Sequence, residues 1–280
     1  MTHEMNYLPL VLLHGYPFDH SLWDAVVAEL QREPLTIGRI LAPDFPGFGE
    51  IPVSPAEPSL DVLAADVVRL LDLHSLPRAV VAGMSMGGYV ALALAERCPD
   101  RVAGLGLIST QAAADSDEMK QGRRGMIRRV QAEGPRVAVE AALLKLFAPA
   151  HEQDENLRRF PIEGGQRAGV AGISWALEAM ARRPDRHSVV EHFRGPCLVL
   201  HGAQDRFIPA AKAREMSMRS AAPWFVELPE SGHATPIENP RAVAQALREL
   251  VGKASGLAVA ATTHARSLPP LTISPTERGL

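Results

Sequence analysis

Six short apolar runs, rich in valine, leucine and isoleucine, are separated along the chain by segments whose apolar residues recur at helical spacing. None of these runs alternates cleanly with polar residues. A strand that is apolar along its whole length is buried on both faces, as in a parallel sheet covered by helices. The pattern therefore predicts an α/β fold with a mostly parallel central sheet flanked by helices. The predicted strands are 8–13, 37–42, 79–82, 102–108, 197–200 and 224–228, and the predicted helices are 21–32, 60–73, 87–97 and 240–251.

The alternation of strands and helices stops between residues 111 and 193. This segment has no convincing strand run, and glycines and prolines interrupt its helical patterns. We interpret 111–193 as a helical cap inserted into an α/β core formed by 1–110 and 194–253. From 254 to 280 the composition shifts to alanine, threonine, serine and proline, which is typical of a flexible tail.

The strongest chemical signal is the hexapeptide Gly83-Met84-Ser85-Met86-Gly87-Gly88. It follows a predicted strand and precedes an alanine-rich helix, the setting in which G-x-S-x-G forms a nucleophile elbow. A serine at the tip of such a turn is held in a strained backbone conformation that exposes its hydroxyl. The flanking residues must be small, and Gly83 and Gly87 meet that need. Ser85 is therefore the candidate nucleophile.

A nucleophilic serine needs a general base, and the base needs a carboxylate that orients it. His233 lies in a loop between the last predicted strand and the last helix, and is the candidate base. Asp205 follows the end of the strand at 197–200, at the sheet edge where α/β proteins place their sites. Asp115 and Asp117, which follow an earlier strand, are alternatives for the acid.

Acyl transfer also needs donors for the negative charge that develops on the carbonyl oxygen. The backbone N–H of Met86, directly after the nucleophile, is one candidate. The other should come from the loop after the first strand, where the backbone N–H of Tyr16 is available and Pro17 has none.

In these features the chain resembles the α/β-hydrolase fold superfamily, in particular its serine esterases, enol-lactonases and cofactor-free haloperoxidases. The resemblance covers residues 8–251, and the motifs that carry it occur in the family's order. They are His14-Gly15, Asp44-Phe45-Pro46-Gly47-Phe48-Gly49, Gly83-Met84-Ser85-Met86-Gly87-Gly88, His201-Gly202-Ala203-Gln204-Asp205 and Gly232-His233. Dehalogenases and epoxide hydrolases of this fold are similar but carry aspartate at the elbow, so Ser85 argues against both.

The resemblance implies a serine hydrolase that cleaves a small to medium carboxylic ester or lactone through an acyl-enzyme. Ser85, Asp205 and His233 would form the catalytic triad, and the amides of Tyr16 and Met86 would form the oxyanion hole. A carbon–carbon bond hydrolase or a perhydrolase with the same triad stays open. So does a non-catalytic small-molecule receptor, although a receptor has no need of an intact triad.

Substrate choice is expected to depend on apolar residues of the cap and of the loops near Ser85. The candidates for the pocket are Phe18, Trp23, Met84, Phe147, Trp175, Met180, Phe207 and Ile208. The cap also contains Arg123, Arg124, Arg128 and Arg129. We interpret these arginines as a solvated face, with Arg124 and Arg128 as alternative ligands of a substrate carboxylate.

The remaining features mainly exclude other classes. The chain has 29 basic and 32 acidic residues, so no strong positive field indicates a nucleic-acid partner. No metal-ligand spacing or phosphate-binding loop occurs, and neither a metal nor a cofactor is expected. The first apolar run is too short for a signal sequence or a membrane span, and two cysteines cannot form a disulfide framework. A cytoplasmic protein that acts on a small-molecule acyl substrate is therefore expected.

Overall fold

A computed structural model describes residues 7–32 and 37–256, which form one parallel sheet with helices on both faces. All strand pairs are parallel, and the order across the sheet is β2-β1-β3-β4-β5-β6. This confirms the predicted fold class. The strands are β1 (Leu10–Leu13), β2 (Ile40–Leu41), β3 (Ala79–Met84), β4 (Val102–Ile108), β5 (Cys197–Gly202) and β6 (Phe225–Leu228).

The sheet is apolar on both faces because a hydrophobic core covers each of them. Along β1, Val11 and Leu13 belong to one core and Leu10 and Leu12 to the other, as the alternation of side chains in a strand requires. The helices are α1 (Asp24–Gln31), α2 (Leu60–Leu73), α3 (Met86–Arg97), α4 (Asp117–Glu133), α5 (Arg136–Leu146), α6 (Glu155–Ala181), α7 (His187–His192), α8 (Ala210–Met218), α9 (Thr235–Glu238) and α10 (Pro240–Ala254). Of these, α2 and α3 contribute to the first core, and α1 and α10 to the second.

Side-chain caps explain where several helices begin. The Ser59 hydroxyl accepts from the N–H of Asp61 at the start of α2. Asn239 accepts from the N–H of Ala242 at the start of α10, with Pro240 in the first turn, where its missing N–H costs nothing. Both helices begin at the residues predicted from the spacing of their apolar side chains, Leu60 and Pro240.

Two predicted elements differ from the structure in more than the position of one end. The strand expected over 37–42 is limited to Ile40–Leu41, because this edge strand pairs with only one neighbour, at Leu10 and Val11. The helix expected over 21–32 is divided into a 3-10 turn (His20–Trp23) and α1. Asp19 caps that turn through the N–H of Ser21, which starts the helical segment one residue early.

Between β4 and β5 the chain forms a helical insertion, here defined as α4 to α7. Within it α4 and α5 both pack on α6, which departs from helical geometry at Gly169 (φ 61°). The side chain of Asp115, just before α4, is fully buried between two guanidinium groups. Its carboxylate lies 2.5 Å from Arg123 Nε and 2.7 Å from Arg183 Nη2, which ties the start of α4 to the end of α6.

At the C-terminal end, α10 continues to Ala254, so the core helix extends one residue into the predicted tail of 254–280. Residues 257–280 of that tail lie outside the described residues. Within 7–32 and 37–256, no helix combines the length and the apolarity that crossing a membrane requires.

Candidate active site

Ser85 lies on the tight turn between β3 and α3. Its φ of 51° is in the left-handed region, which non-glycine residues rarely adopt. The turn is tight because backbone crosses backbone at both neighbouring glycines. A Cβ on Gly83 would approach the carbonyl of Gly87 to 2.1 Å, and a Cβ on Gly87 would approach the carbonyl of Leu13 to 2.2 Å. Only glycine fits at either position.

This crowding predicts that Gly87→Ala destabilises the fold by about 3 kcal/mol or more, because the new methyl group meets backbone that cannot move aside. Chemical denaturation measures the effect. Gly125→Ala is the matched control, since its Cβ would meet only the end of the Arg128 side chain at 3.8 Å. Within helix α4 this change should stabilise by about 0.5–1 kcal/mol. Equal stability of the two variants would contradict the close packing at Gly87.

Ser85, His233 and Asp205 come together although they are distant in sequence. The Ser85 Oγ lies 2.9 Å from His233 Nε2, and His233 Nδ1 lies 2.7 Å from Asp205 Oδ2. Asp205 and His233 are buried, whereas Ser85 is partly exposed. With the proton on Nδ1 bonded to Asp205, Nε2 is left as the acceptor for the Ser85 hydroxyl.

The carboxylate of Asp205 is fixed by three further groups, the N–H groups of Phe207 and Ile208 and the imidazole of His201. Its Oδ1 accepts from the N–H groups of Phe207 at 2.7 Å and Ile208 at 3.0 Å. Burial opposes ionisation of this carboxyl, but the charge of His233 and hydrogen bonds from His201 and His233 outweigh it. Together they hold the pKa of Asp205 well below its ordinary value. Asp205 therefore remains an anion that can stabilise an imidazolium.

His201 is a second buried imidazole beside Asp205. Its Nε2 lies 2.8 Å from the carbonyl of Ile208 and 3.1 Å from Asp205 Oδ2. Both partners only accept, so Nε2 must carry the proton. His201 thus ties the strand β5 to the loop that holds Asp205.

The loop of His233 is anchored by a residue that sequence reasoning missed. The buried carboxylate of Glu238 accepts from the N–H of Gly232 at 3.0 Å and from the N–H of Ala148 at 2.8 Å. The carbonyl of Leu146 accepts from the N–H of His233 at 2.8 Å. The position of His233 thus depends on the end of α5. No local pattern distinguishes Glu238 from an ordinary helical glutamate, so the sequence alone gave no signal for it.

The loop after β1 lies directly against the elbow. A Cβ on Gly15 would approach the Ser85 Cβ to 3.3 Å. His14 holds this loop, because its Nδ1 lies 3.0 Å from the carbonyl of Gly15 and its Nε2 accepts from the N–H of Phe45 at 3.0 Å. In the described part of the chain, the backbone N–H groups of Tyr16 and Met86 donate to no protein group. Both amides therefore remain available to a ligand beside Ser85.

A cleft of about 430 Å³ opens above Ser85 and His233. Of the predicted pocket residues, Phe207, Ile208 and Met180 line it, and the Phe207 ring lies 4.9 Å from the ring of His233. Residues that sequence reasoning missed also line it. They are Tyr89, Gln111, Met119, Gly122, Arg123, Met126, Ala138, Ala141, Ala142, Lys145 and Leu177.

The structure does not bring the other predicted pocket residues to this cleft. Phe18, Trp23, Met84 and Phe147 are fully buried in the core that covers one face of the sheet. Trp175 is buried in the opposite core, and its Nε1 donates to the carbonyl of Ala56 at 3.1 Å. These large side chains fill the space between the sheet and the helices. A large apolar residue can either fill a core or line a pocket, and its residue type alone does not tell which.

The two alternative acids do not contact His233. The side chain of Asp117 is 92% exposed and pairs with Lys120 within α4. Asp115 is engaged by Arg123 and Arg183. Asp205 is thus the acid that the described geometry places beside the histidine.

One group of potential metal ligands occurs among the described residues: Asp19, His20 and Asp44. Their side chains already bond to protein groups. Asp19 accepts from Arg167 Nε at 2.7 Å, and His20 Nδ1 lies 2.8 Å from Asp44 Oδ2. These bonds hold the 3-10 turn against the loop at Asp44.

A parallel sheet with a serine elbow, a neighbouring histidine and a buried carboxylate defines a class of hydrolytic enzymes. A model of the alpha/beta hydrolase family matches residues 10–246. The chain belongs to this family and is a hydrolase.

Three relatives illustrate the similarity. The chain is 32% identical over 252 residues to the dihydrolipoyllysine-residue acetyltransferase component of the acetoin cleaving system of Pseudomonas putida, covering 88% of this chain and 64% of that one. It therefore spans less than two thirds of that relative's length. A thermophilic esterase from Thermogutta terrifontis, solved with malate bound, superposes with a TM-score of 0.81 at 34% identity, covering 89% of this chain and 90% of the other. The enol-lactonase from Burkholderia xenovorans LB400 gives 0.77 at 26% identity, covering 88% and 92%.

Proposed function

We propose that the protein is a serine hydrolase that cleaves a small to medium carboxylic ester or lactone through a Ser85–His233–Asp205 acyl-enzyme mechanism. The observation that carries the proposal is the 2.9 Å distance between Ser85 Oγ and His233 Nε2, on a turn that exposes the hydroxyl to the cleft. The esterase and the enol-lactonase among the relatives support the same class of reaction.

In the first half of the reaction, His233 Nε2 takes the proton of the Ser85 hydroxyl as Oγ bonds to the acyl carbon of the substrate. The carbonyl oxygen becomes an oxyanion, which accepts from the N–H groups of Tyr16 and Met86. Each such donor is worth about 3 kcal/mol to the transition state. His233 then protonates the departing alkoxide oxygen, and the ester bond breaks. In a lactone the alcohol stays attached to the acyl chain.

In the second half, His233 removes a proton from water, which attacks the acyl carbon of the Ser85 ester. The same two amides hold the second oxyanion. His233 returns the proton to Ser85 Oγ as the carbon–oxygen bond breaks and the carboxylic acid leaves. Throughout, Asp205 holds the imidazole by Nδ1 and balances its charge. The chain's own residues thus supply every proton transfer in the cycle.

The proposal is tested with purified protein and a panel of short esters, lactones, thioesters and vinylogous diketones, together with labelling by a fluorophosphonate. Ester or lactone turnover with the label on Ser85 is expected. Turnover of the diketone alone would point to a carbon–carbon hydrolase with the same triad. If no substrate of the panel were hydrolysed and Ser85 were not labelled, the proposal would be overturned in favour of a binding protein.

A further inference from the structure

The helix α4 presents one face to the cleft above Ser85. Met119, Gly122, Arg123 and Met126 line the cleft at the three- and four-residue spacing that places side chains on one face of a helix. Arg123 thus turns toward the cleft and is only 19% exposed. The expected alternatives, Arg124 and Arg128, are exposed instead, and Arg124 lies 3.7 Å from Glu178.

The charge at this wall of the cleft is positive. Among the described residues, Asp115 is the one carboxylate bonded to Arg123, and Arg183 shares it, so two guanidinium groups face a single negative charge. The pKa of Asp115 agrees with this arrangement. Burial opposes its ionisation, but hydrogen bonding to Arg123 and the charges of Arg123 and Arg183 hold the pKa below the ordinary value. The cluster therefore carries a net positive charge.

The donors of Arg123 are only partly used by the protein. Its Nε donates to Asp115 at 2.5 Å and its Nη2 donates to the same carboxylate at 3.5 Å. Its Nη1 faces only the sulfur of Met180 at 3.4 Å, and a thioether is a weak acceptor. Lys145 adds a second cation to the lining and forms no ion pair within the described ranges. No aspartate or glutamate is among the described residues that line the cleft. The cleft thus has positive charge and no acidic counterpart of its own.

The hydroxyl of Tyr16 is a second, independent sign of a missing polar partner. The hydroxyl is buried and bonds to no group in the described part of the chain, and it belongs to a residue that lines the cleft. Tyr16 and Arg123 line the same cleft. Burial raises the pKa of Tyr16, and the charge of Arg123 opposes that rise. An O–H donor without an acceptor is costly when buried. An anionic oxygen placed between this hydroxyl and the Arg123 guanidinium would satisfy both.

We propose that the acyl substrate carries a carboxylate of its own, bound between the Tyr16 hydroxyl and the Arg123 guanidinium, while its ester or lactone carbonyl reaches Ser85. This inference rests on the proposed function and narrows it to half-esters or lactones of dicarboxylic acids. Lys145 contributes positive potential rather than a fixed bond, because it is exposed and lies 6.0 Å from the centre of the Phe207 ring. Selectivity for the charged substrate follows from the cost of leaving these donors unpaired when a neutral one binds.

The test compares monoethyl with diethyl esters of succinic, glutaric and adipic acid, with acid release followed by titration at constant pH. The ratio of kcat/KM for the monoester to that for the diester is expected to exceed about tenfold at the best chain length. Tyr16→Phe and Arg123→Gln should each lower this ratio by about tenfold or more, chiefly through KM of the monoester. Arg123→Lys, which keeps the charge, should retain part of the preference.

Arg129→Gln is the matched control, because Arg129 lies on the same helix but bonds to Glu133 away from the cleft. It should leave the ratio unchanged. Melting temperatures report on folding, and Asp115 keeps its bond to Arg183 in the Arg123 variants. A wild-type enzyme that hydrolyses the diesters as well as the monoesters would overturn the inference. So would an unchanged ratio in both Tyr16→Phe and Arg123→Gln.

Calorimetric titration of the protein with free glutarate and adipate separates this inference from the proposed function. Binding to the wild type that is weakened in Arg123→Gln would support the carboxylate site even if no ester were hydrolysed. Conversely, ester turnover without dicarboxylate binding or any preference for monoesters would leave the hydrolase proposal intact and reject the carboxylate site.

Discussion

Replacing Ser85 by alanine is expected to lower kcat on a p-nitrophenyl ester by at least about a thousandfold. The variant loses the oxygen that attacks the acyl carbon, while the amides of Tyr16 and Met86 and the imidazole of His233 remain in place. The residual rate should reflect only those groups. Steady-state kinetics and a melting curve, measured on the same preparation, distinguish loss of chemistry from loss of fold.

Ser75→Ala is the matched control for this substitution. Ser75 also has a positive φ, at 53°, but it is exposed in the turn after α2. Any cost of placing alanine in the left-handed region is therefore common to the two variants, and Ser75→Ala should retain full activity. An active Ser85→Ala enzyme, or fluorophosphonate labelling at another residue, would rule out Ser85 as the nucleophile.

The second large effect is expected at Asp205. Asp205→Asn keeps the size of the side chain but removes the charge, and its amide can donate to His233 where the carboxylate accepted. The histidine would then favour the tautomer with the proton on Nε2, which cannot accept from Ser85. A loss in kcat of about 10³- to 10⁴-fold is expected. The control Asp117→Asn, at an exposed residue of α4, should change kcat less than about twofold. The reverse result would transfer the role of the acid to Asp117.

The same substitution should change how stability depends on pH. Because the pKa of Asp205 is lowered in the folded protein, its carboxylate stabilises the fold above its unfolded pKa of about 4. That stabilisation is lost as the pH falls from about 4 toward the lower pKa that Asp205 has in the folded protein. The melting temperature of Asp205→Asn should therefore lie below that of the wild type at pH 7, and the difference should narrow below about pH 4. A difference that widens in acid would contradict the lowered pKa.

Much of the architecture could be read from the sequence because its signals are local. Continuous apolar runs indicated strands covered on both faces, and apolar residues at helical spacing indicated the helices over 60–73 and 240–251. In the structure these helices begin where Ser59 and Asn239 accept from backbone N–H groups. The glycines around Ser85 indicated a turn too tight for any side chain. The edge strand β2 was overestimated, because its length depends on a neighbouring strand rather than on its own residues.

The lining of the cleft was harder to predict, because it depends on how separate elements pack. Phe18 and Trp175 have the bulk of pocket residues, yet each fills a core. Among the arginines of α4, periodicity identifies those that share a face, but it cannot say which face meets the cleft. Packing of α4 on α6 turns Arg123 inward and leaves Arg124 outside.

The sequence by itself determined the order of strands and helices, the tight turn at Ser85, and which serine, histidine and aspartate to consider together. These properties follow from residue type and short-range spacing. Only the tertiary structure decided that His233 lies within 2.9 Å of Ser85 through a loop anchored on α5, and that Arg123 and Tyr16 line the same cleft. The physical reason is that such contacts join elements far apart in the chain. Their geometry is set by the packing of whole helices against the sheet, which no local pattern encodes.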